Sequence, residues 1–233
     1  MSVAVVIVNR NCGRYLGDCL LSVQAQTLLP DEIQIVDGHS TDNSASVAAT
    51  VMSGWLWRWK SVEPHGIAQA RNVGTAACWS DWIVPLDADD MLEPHYISHC
   101  WSEIFIHADP SVGIIAPGLC WLDTGQVQYP FVGASEVTYE MMLPDTCKCG
   151  HHRGMHTGDG SGTTWCRACW EQERHCERYT HVEQKPFGCS MFRRAAWEQV
   201  GGYDEHAATY DDWCFWLDIV KAGWRVVQVR EAL

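Results

Sequence analysis

Apolar positions along this chain form short continuous runs that alternate with stretches of helical spacing. Val3 to Val8 is unbroken and apolar, the pattern of a strand covered on both faces. Asn9-Arg10-Asn11-Cys12-Gly13 interrupts it, and Tyr15, Leu16, Cys19, Leu20 and Val23 then recur at helical spacing up to a stop at Leu29-Pro30-Asp31. Ile33 to Val36 reads as a second strand, and Asp37 to Ser44 as a turn whose Asp, Ser and Thr residues suit the N-cap of a helix. Trp55 to Trp59 alternates, as a third strand or an exposed aromatic edge would. Gly66 to Gly74 predicts a helix leading to the buried strand Asp81 to Val84, which ends in Leu86-Asp87-Ala88-Asp89-Asp90. Pro94 to His107 predicts an amphipathic helix and Val112 to Ala116 a strand. Late in the chain, Gly188 to Arg194 predicts a strand, Ala195 to Val200 a short helix, Tyr210 to Val220 a helix with acidic residues in its first turn, and Val226 to Val229 a last strand. Strand and helix alternating in this way is the grammar of an α/β protein with a mostly parallel sheet. Ligands of such sheets bind beyond the carboxyl ends of the strands, and Asn9, Asp37 and Asp87 all fall at those ends.

Composition narrows the function classes. With 233 residues, 47% of them hydrophobic, the chain can bury one sizeable core. It has no run of about 18 apolar residues, so no transmembrane segment is expected. Met1-Ser2 leads straight into Val3 without a basic leader region, which makes the cytoplasm the expected address. A net charge of −13 disfavours polyanionic partners over most of the surface. The segment from 145 to 187 is the exception: Lys148, Arg153, Arg167, Arg174, Arg178 and Lys185 balance Asp145, Asp159, Glu171, Glu173, Glu177 and Glu183.

That segment also has its own chemistry. Of the 12 cysteines, Cys12, Cys19, Cys78, Cys100, Cys120, Cys189 and Cys214 sit singly in apolar surroundings and read as small buried side chains. The others cluster downstream, with Cys147-Lys148-Cys149 and His151 followed by His156 and Cys166-Arg167-Ala168-Cys169. Thiolates and imidazoles in tetrahedral S/N geometry select Zn²⁺, and a glycine-rich polar segment draws folding energy from such a cross-link. Cys149, His156, Cys166 and Cys169 are the preferred structural Zn²⁺ ligands, with Cys147 and His151 as alternates; the competing reading is a loop with incidental cysteines. Asp87 and Asp89 pose a similar choice. Convergent carboxylates suit Mg²⁺ or Mn²⁺ completed by phosphate oxygens, whereas the alternative is a solvated acidic turn.

The segments, taken in order, resemble the family 2 glycosyltransferases of GT-A fold. The resemblance rests on Val5 to Asn11, on Ile35 to Asp42, on Ala70-Arg71-Asn72, on the DxD-type metal motif Leu86 to Asp90, and on Phe192 to Arg194, Val200 to Glu205 and Asp211-Asp212-Trp213. It implies a Rossmann-like, mostly parallel sheet flanked by helices, with the zinc-knuckle segment as a small insert. Residues 1–125 would form the donor half, 145–180 the insert, and 126–144 with 181–233 the acceptor and catalytic half of the same domain. The implied activity is metal-assisted transfer of a sugar from a nucleotide-sugar, a UDP-sugar first among them, to an acceptor hydroxyl with inversion. Asp89, helped by Asp87, would bind Mg²⁺ or Mn²⁺; Asn9, Asp37 and Arg71 would hold the nucleotide; Asp211 would be the general base, with Asp212 next in line. Gly38 departs from the family by replacing a second acidic residue that contacts the base. The acceptor is a small molecule, a glycan or a lipid-linked sugar, or, as an alternative supported by the neutral insert with Trp165 and Trp170, a hydroxylated base in DNA. A further alternative is a protein-binding module without catalysis.

Overall fold

The computed structural model describes residues 1–63, 65–120, 127–128, 156–158, 164–166, 188–207 and 211–232. The strands are β1 (Val3–Asn9), β2 (Glu32–Asp37), β3 (Arg58–Ser61), β4 (Trp82–Asp87), β5 (Val112–Cys120), β6 (Val127–Gln128), β7 (His156–Gly158), β8 (Thr164–Cys166), β9 (Met191–Arg193) and β10 (Arg225–Ala232). The helices are α1 (Gly13–Gln24), α2 (Ser44–Val51), α3 (Ile67–Ala77), α4 (Tyr96–His107), α5 (Arg194–Val200) and α6 (Asp211–Lys221). The main sheet runs β10-β5-β9-β4-β1-β2-β3, and β6 pairs with β5. Pairs β1 with β2, β1 with β4, β2 with β3 and β10 with β5 are parallel; β9 runs antiparallel between β4 and β5. The sheet is mostly parallel, as expected, with antiparallel pairing at β9 and between β6 and β5.

Every residue of β1 and of β2 is buried, as the continuous apolar run requires. Alternation then divides the strand between two layers. Val3, Val5 and Ile7 pack with Leu16, Leu20 and Val23 of α1, Met52 after α2, and Ile97 and Cys100 of α4. Ala4 and Val6 belong instead to a second cluster with Ile83, Ile114, Phe192, Phe215 and Trp216. Two apolar faces of one sheet, each with its own helices, make the three-layer architecture.

The predicted elements shift at two edges. The third strand begins at Arg58, where pairing with Gln34 starts, and Trp55, Trp57 and Trp59 are half-buried against the first cluster. Strand β9 covers only Met191–Arg193 and pairs with β4 through Trp82 and Ile83 alone. Pro85, which has no N–H to donate, lies beyond that short pairing and costs no ladder bond there. Trp82 and Trp216 are core, while Trp197 is half-buried. Cys19, Cys78 and Cys100 are buried; Cys12, Cys189 and Cys214 are only partly so. Among the described residues, no helix is long and apolar enough to cross a membrane.

Two packing features position the elements that carry polar residues. Helix α3 lies so close to the sheet that a Cβ on Gly74 would stand 2.3 Å from Val6 Cγ1 and 3.0 Å from Val36 Cγ2. Helix α6 is held by an aromatic cluster: Phe215 stacks on Tyr203 at 4.0 Å between centroids and meets Phe192 edge-on at 5.0 Å, while Phe192 meets Trp216 at 5.9 Å. Pairs of this kind contribute about 0.5–1.5 kcal/mol beyond their burial. Gly74→Ala is expected to lower stability by about 1–3 kcal/mol, read as a lower urea midpoint at unchanged slope. An unaltered midpoint would mean that α3 moves off the sheet at no cost.

Candidate functional site

Register brings three strand ends to one edge of the sheet. Asn9 of β1 is paired with Asp37 of β2, and Val8 with Asp87 of β4. Beyond them lies a cleft of about 420 Å³, lined by Val8 to Arg10 and Cys12, by Gly38, by Val62, Glu63, Gly66, Ile67 and Ala70 around the entry to α3, and by Asp87, Ala88 and Asp89. Its size is that of a small-molecule site.

The loops after β1 and β2 are tied to each other. Asn9 Nδ2 donates to Asp37 Oδ1 at 2.7 Å and to Ser40 Oγ at 3.1 Å. The Ser40 hydroxyl donates to Asp37 Oδ1 at 2.6 Å and its backbone N–H to Asp37 Oδ2 at 3.0 Å. Asn11, in the left-handed region with φ 53°, accepts from the Thr41 N–H at 2.8 Å; Asn tolerates that conformation better than most residues. Asp42 accepts the Gly13 N–H at 2.8 Å and both the hydroxyl and N–H of Ser44 at 2.6 and 3.0 Å. The Ser44 hydroxyl, followed by the Gly13 N–H, holds the Asp42 carboxyl below its ordinary range. The Ser/Thr/Asp turn was read as an N-cap, and Asp42 performs that service from one position earlier, since Asn43 makes no side-chain cap bond.

Asp37 was expected to hold the nucleotide. It is 4% exposed, both of its oxygens accept from Asn9 and Ser40, and it does not line the cleft. Asn9 does line it. Asp37 therefore shapes the wall through its neighbours.

Helix α3 supplies the second half of the arrangement. Arg71 Nη1 donates to Asp211 Oδ2 at 2.7 Å, and Nη2 donates to Asp87 Oδ1 and Oδ2 at 2.9 and 3.2 Å. The Arg71 side chain is 6% exposed. Burial alone would lower its basicity, but Asp87, Tyr203 and Asp211 more than offset this and keep it charged. Burial raises the Asp211 carboxyl above its ordinary range, with Arg71 acting in the opposite direction and Asp212 adding to the rise. Asp212 is half-buried, and its Oδ2 would lie 3.7 Å from a Cβ on Gly188, itself 3.9 Å from Arg71 Nη2. Asp89 is exposed at the cleft. Asp87, Arg71 and Asp211, from three distant segments, thus form one ion cluster in which the Arg71 and Asp211 side chains are buried and that of Asp87 is 34% exposed, with Asp89 and Asp212 beside it.

Asn72, beside Arg71 in the Ala70-Arg71-Asn72 motif, has a structural role of its own. Its Nδ2 donates to the Tyr203 carbonyl at 2.8 Å and to Glu205 Oε1 at 3.1 Å; its Oδ1 accepts the Tyr203 N–H at 2.8 Å and Trp197 Nε1 at 3.1 Å. Gly202, at φ 87°, approaches so closely that a Cβ would stand 2.5 Å from Asn72 Oδ1. The side chain thus clasps the turn that leads toward α6. Composition could not have found it, because only the fold makes residues 72 and 203 neighbours.

Among the described residues, no group of three or more His, Cys, Asp or Glu side chains is arranged to hold a metal ion. Asp87 and Asp89 alone fit the Mg²⁺ or Mn²⁺ pattern, in which one or two carboxylates are completed by phosphate oxygens. Arg71 already engages both Asp87 oxygens, which leaves Asp89 the more available donor. Of the expected Zn²⁺ ligands, Cys147, Cys149, His151 and Cys169 lie outside the described residues. His156 and Cys166 are described in backbone only, paired opposite each other in the β7–β8 ladder.

A sheet covered on both faces, with a cleft over the carboxyl ends of its parallel strands, is a doubly wound α/β arrangement, in which ligands bind at that edge. The chain belongs to glycosyl transferase family 2, whose model matches residues 2–201. It is 37% identical over 111 residues to the uncharacterized glycosyltransferase alr2836 of Nostoc sp., covering 47% of this chain and 34% of that protein. To glycosyltransferase GlyG of Streptococcus pneumoniae it is 32% identical over 104 residues, covering 44% of this chain and 35% of the other. The chain thus spans about a third of the length of these relatives. The uncharacterized glycosyltransferase YwdF of Bacillus subtilis matches over 98% of this chain and 71% of its own length at 26% identity. The GT-A-like fold is shared with S. aureus TarS 1-349, solved in complex with UDP-GlcNAc: TM-score 0.67 at 14% identity, covering all of this chain and 60% of that one. It is also shared with the mannosyltransferase PcManGT of Pyrobaculum calidifontis, solved with GDP-Man and Mn²⁺: TM-score 0.64 at 18% identity, covering 98% and 54%.

Asn72→Ala removes the acceptor for the Tyr203 N–H and Trp197 Nε1 and should cost about 2 kcal/mol or more. Chemical denaturation reads this directly; a loss below about 0.5 kcal/mol would show that water replaces the clasp.

Proposed function

We propose that this chain binds a nucleotide-sugar, a UDP-sugar in the first instance, in the cleft at the ends of β1, β2 and β4 and transfers its sugar to an acceptor hydroxyl with inversion. The observation that carries the reading is that Asp87 and Asp89 line that cleft, with Asp211 of α6 joined to Asp87 through Arg71. Family membership and the UDP-GlcNAc and GDP-Man complexes of the two structural neighbours support it.

In this reading the cleft wall from Asn9 to Cys12 and from Val62 to Ala70 takes the nucleoside, and Asp89, with Asp87 beside it, would hold Mg²⁺ or Mn²⁺. The ion, when bound, supplies positive charge against the leaving diphosphate. The acceptor oxygen attacks the anomeric carbon as the bond from that carbon to the diphosphate oxygen breaks, and the acceptor proton passes to a carboxylate. A single displacement of this kind inverts the anomeric centre. Between the two candidates for proton acceptor, geometry favours Asp212. Asp211 is 7% exposed and paired with Arg71, whereas Asp212, which accepts the Trp213 N–H at Oδ1, is half-buried. Zn²⁺ held by Cys149, His156, Cys166 and Cys169 would brace the insert, and the His156 and Cys166 pairing places two of those four at opposite ladder positions.

Calorimetric titration with UDP should show binding that needs Mn²⁺ or Mg²⁺ and is lost in EDTA and in Asp89→Ala. Binding that persists in both would remove the metal from the site. For release of UDP from UDP-GlcNAc, Asp212→Asn should lower turnover about 10²- to 10⁴-fold while leaving UDP affinity within a few-fold. A normal rate in this variant would return the base role to Asp211.

Zinc content gives a separate check: about one Zn²⁺ per chain by elemental analysis, falling to near zero in the Cys166→Ser, Cys169→Ser double variant. A metal-free parent that remains fully folded would eliminate the structural Zn²⁺.

A further inference from the structure

The Arg71 guanidinium is shared between two carboxylates that belong to different parts of the proposed reaction. One fork nitrogen faces Asp87, at the end of the strand leading to Asp89; the other faces Asp211, the first residue of α6 and the neighbour of Asp212. The side chain is almost fully buried, its Nε is buried with no hydrogen-bond partner among the described residues, and its guanidinium carbon lies 5.6 Å from the centroid of the Tyr203 ring. Arg71 does not line the donor cleft, although Ala70, the residue before it, does.

A guanidinium that contacted the diphosphate would have to be reachable from the cleft. This one is occupied on both fork nitrogens by protein carboxylates. The planar fork is suited to spanning two carboxylates at fixed separation, and an ammonium, a point charge on a flexible stem, is not. Helix α3 itself has little freedom to shift, because Gly74 seats it on Val6 and Val36 and Asn72 holds the turn at 202–205. Sheet, α3 and α6 therefore meet at one side chain.

We propose that Arg71 is a positioning residue rather than a nucleotide contact: by bridging Asp87 and Asp211 it fixes the first turn of α6, and with it Asp212, relative to the donor-side carboxylates Asp87 and Asp89. This rests on the donor and base assignments made above. Its consequence is a division of effects, in which loss of Arg71 harms turnover and leaves donor binding largely intact. Removing Arg71 also takes away the cation that faces Asp211 among the described residues, so Asp211 is the partner whose removal should relieve the damage.

The test uses the whole chain with three changes: Arg71→Met, Arg71→Lys and Arg71→Met combined with Asp211→Asn. Affinity for UDP with Mn²⁺ is measured by calorimetry, UDP release from UDP-GlcNAc by a coupled assay, and local order at the start of α6 by amide hydrogen exchange. Arg71→Met should keep UDP affinity and donor KM within about threefold and lose about 100-fold or more in kcat. Exchange at the start of α6 should rise at least about tenfold while the amides of β1 and β2 stay protected. Arg71→Lys should recover part of the rate, and the double variant should be no slower than Asp211→Asn alone, the non-additivity of residues acting as one unit. A rise in donor KM or in the UDP dissociation constant of tenfold or more at unchanged kcat would overturn the proposal in favour of a phosphate contact. Unchanged exchange at α6 would also overturn it. A parent chain that does not bind UDP would instead remove the donor reading, while exchange at α6 in Arg71→Lys and the double variant still decides whether Arg71 sets the helix.

Discussion

One guanidinium neutralises two carboxylates that the chain delivers from opposite ends of the fold. Asp87 closes the central strand β4, Asp211 opens α6, and Arg71 reaches both from the middle of α3. Buried charges of one sign cannot be brought together without a counter-ion, because desolvation and mutual repulsion each cost several kcal/mol. The acidic character of the cleft, which anything holding a cation and a proton acceptor requires, therefore depends on this cation. The first turn of α6 is held at the same place by Trp213, buried in the second apolar cluster, while Phe215 and Trp216 hold the body of the helix.

Much of the frame was legible in the sequence because its signals are local. Continuous apolar runs bounded by polar turns placed β1, β2 and β4, and with them Asn9, Asp37 and Asp87 at one sheet edge. Parallel register then does the rest, since Asn9 opposite Asp37 follows once both strands end where their apolar runs end. Partner choice was not legible. Asp37 stands where a ligand contact was expected, yet Asn9 and Ser40 consume both of its oxygens. Which neighbour satisfies a polar group depends on loop conformation, including the left-handed backbone of Asn11 and of His39 at φ 55°, and periodicity carries no information about that.

The same limit explains Asn72 and the antiparallel strand. Asn72 looks like any polar residue of an amphipathic helix until Gly202 and Tyr203 are brought against it from 131 positions away. Strand β9 was predicted from its apolar character, but nothing in Met191-Phe192-Arg193 encodes direction. Direction is set by the route the chain takes into it. Among the described residues, the β9 pairing ends at Ile83 and does not extend along the carboxyl half of β4.

The Ala70-Arg71-Asn72 tripeptide shows how three adjacent residues of one helix serve three surfaces. Successive helical positions are about 100° apart, so neighbours diverge: Ala70 faces the cleft, Arg71 faces the ion cluster, and Asn72 faces the 202–205 turn. Small size matters at the first, because a longer side chain would fill the cleft. A planar fork matters at the second, and paired donor and acceptor atoms at the third. Gly74, one turn beyond Ala70, lets the helix sit near enough to the sheet for all three to reach. Breaking a buried ion pair by removing one partner costs about 3–5 kcal/mol, whereas exchanging the whole group for apolar residues is often neutral or stabilising. Stability alone therefore gives little reason to build this cluster. Its geometry gives a better one: it ties Asp87 at the end of β4 to Asp211 at the start of α6 through one planar, charged bridge.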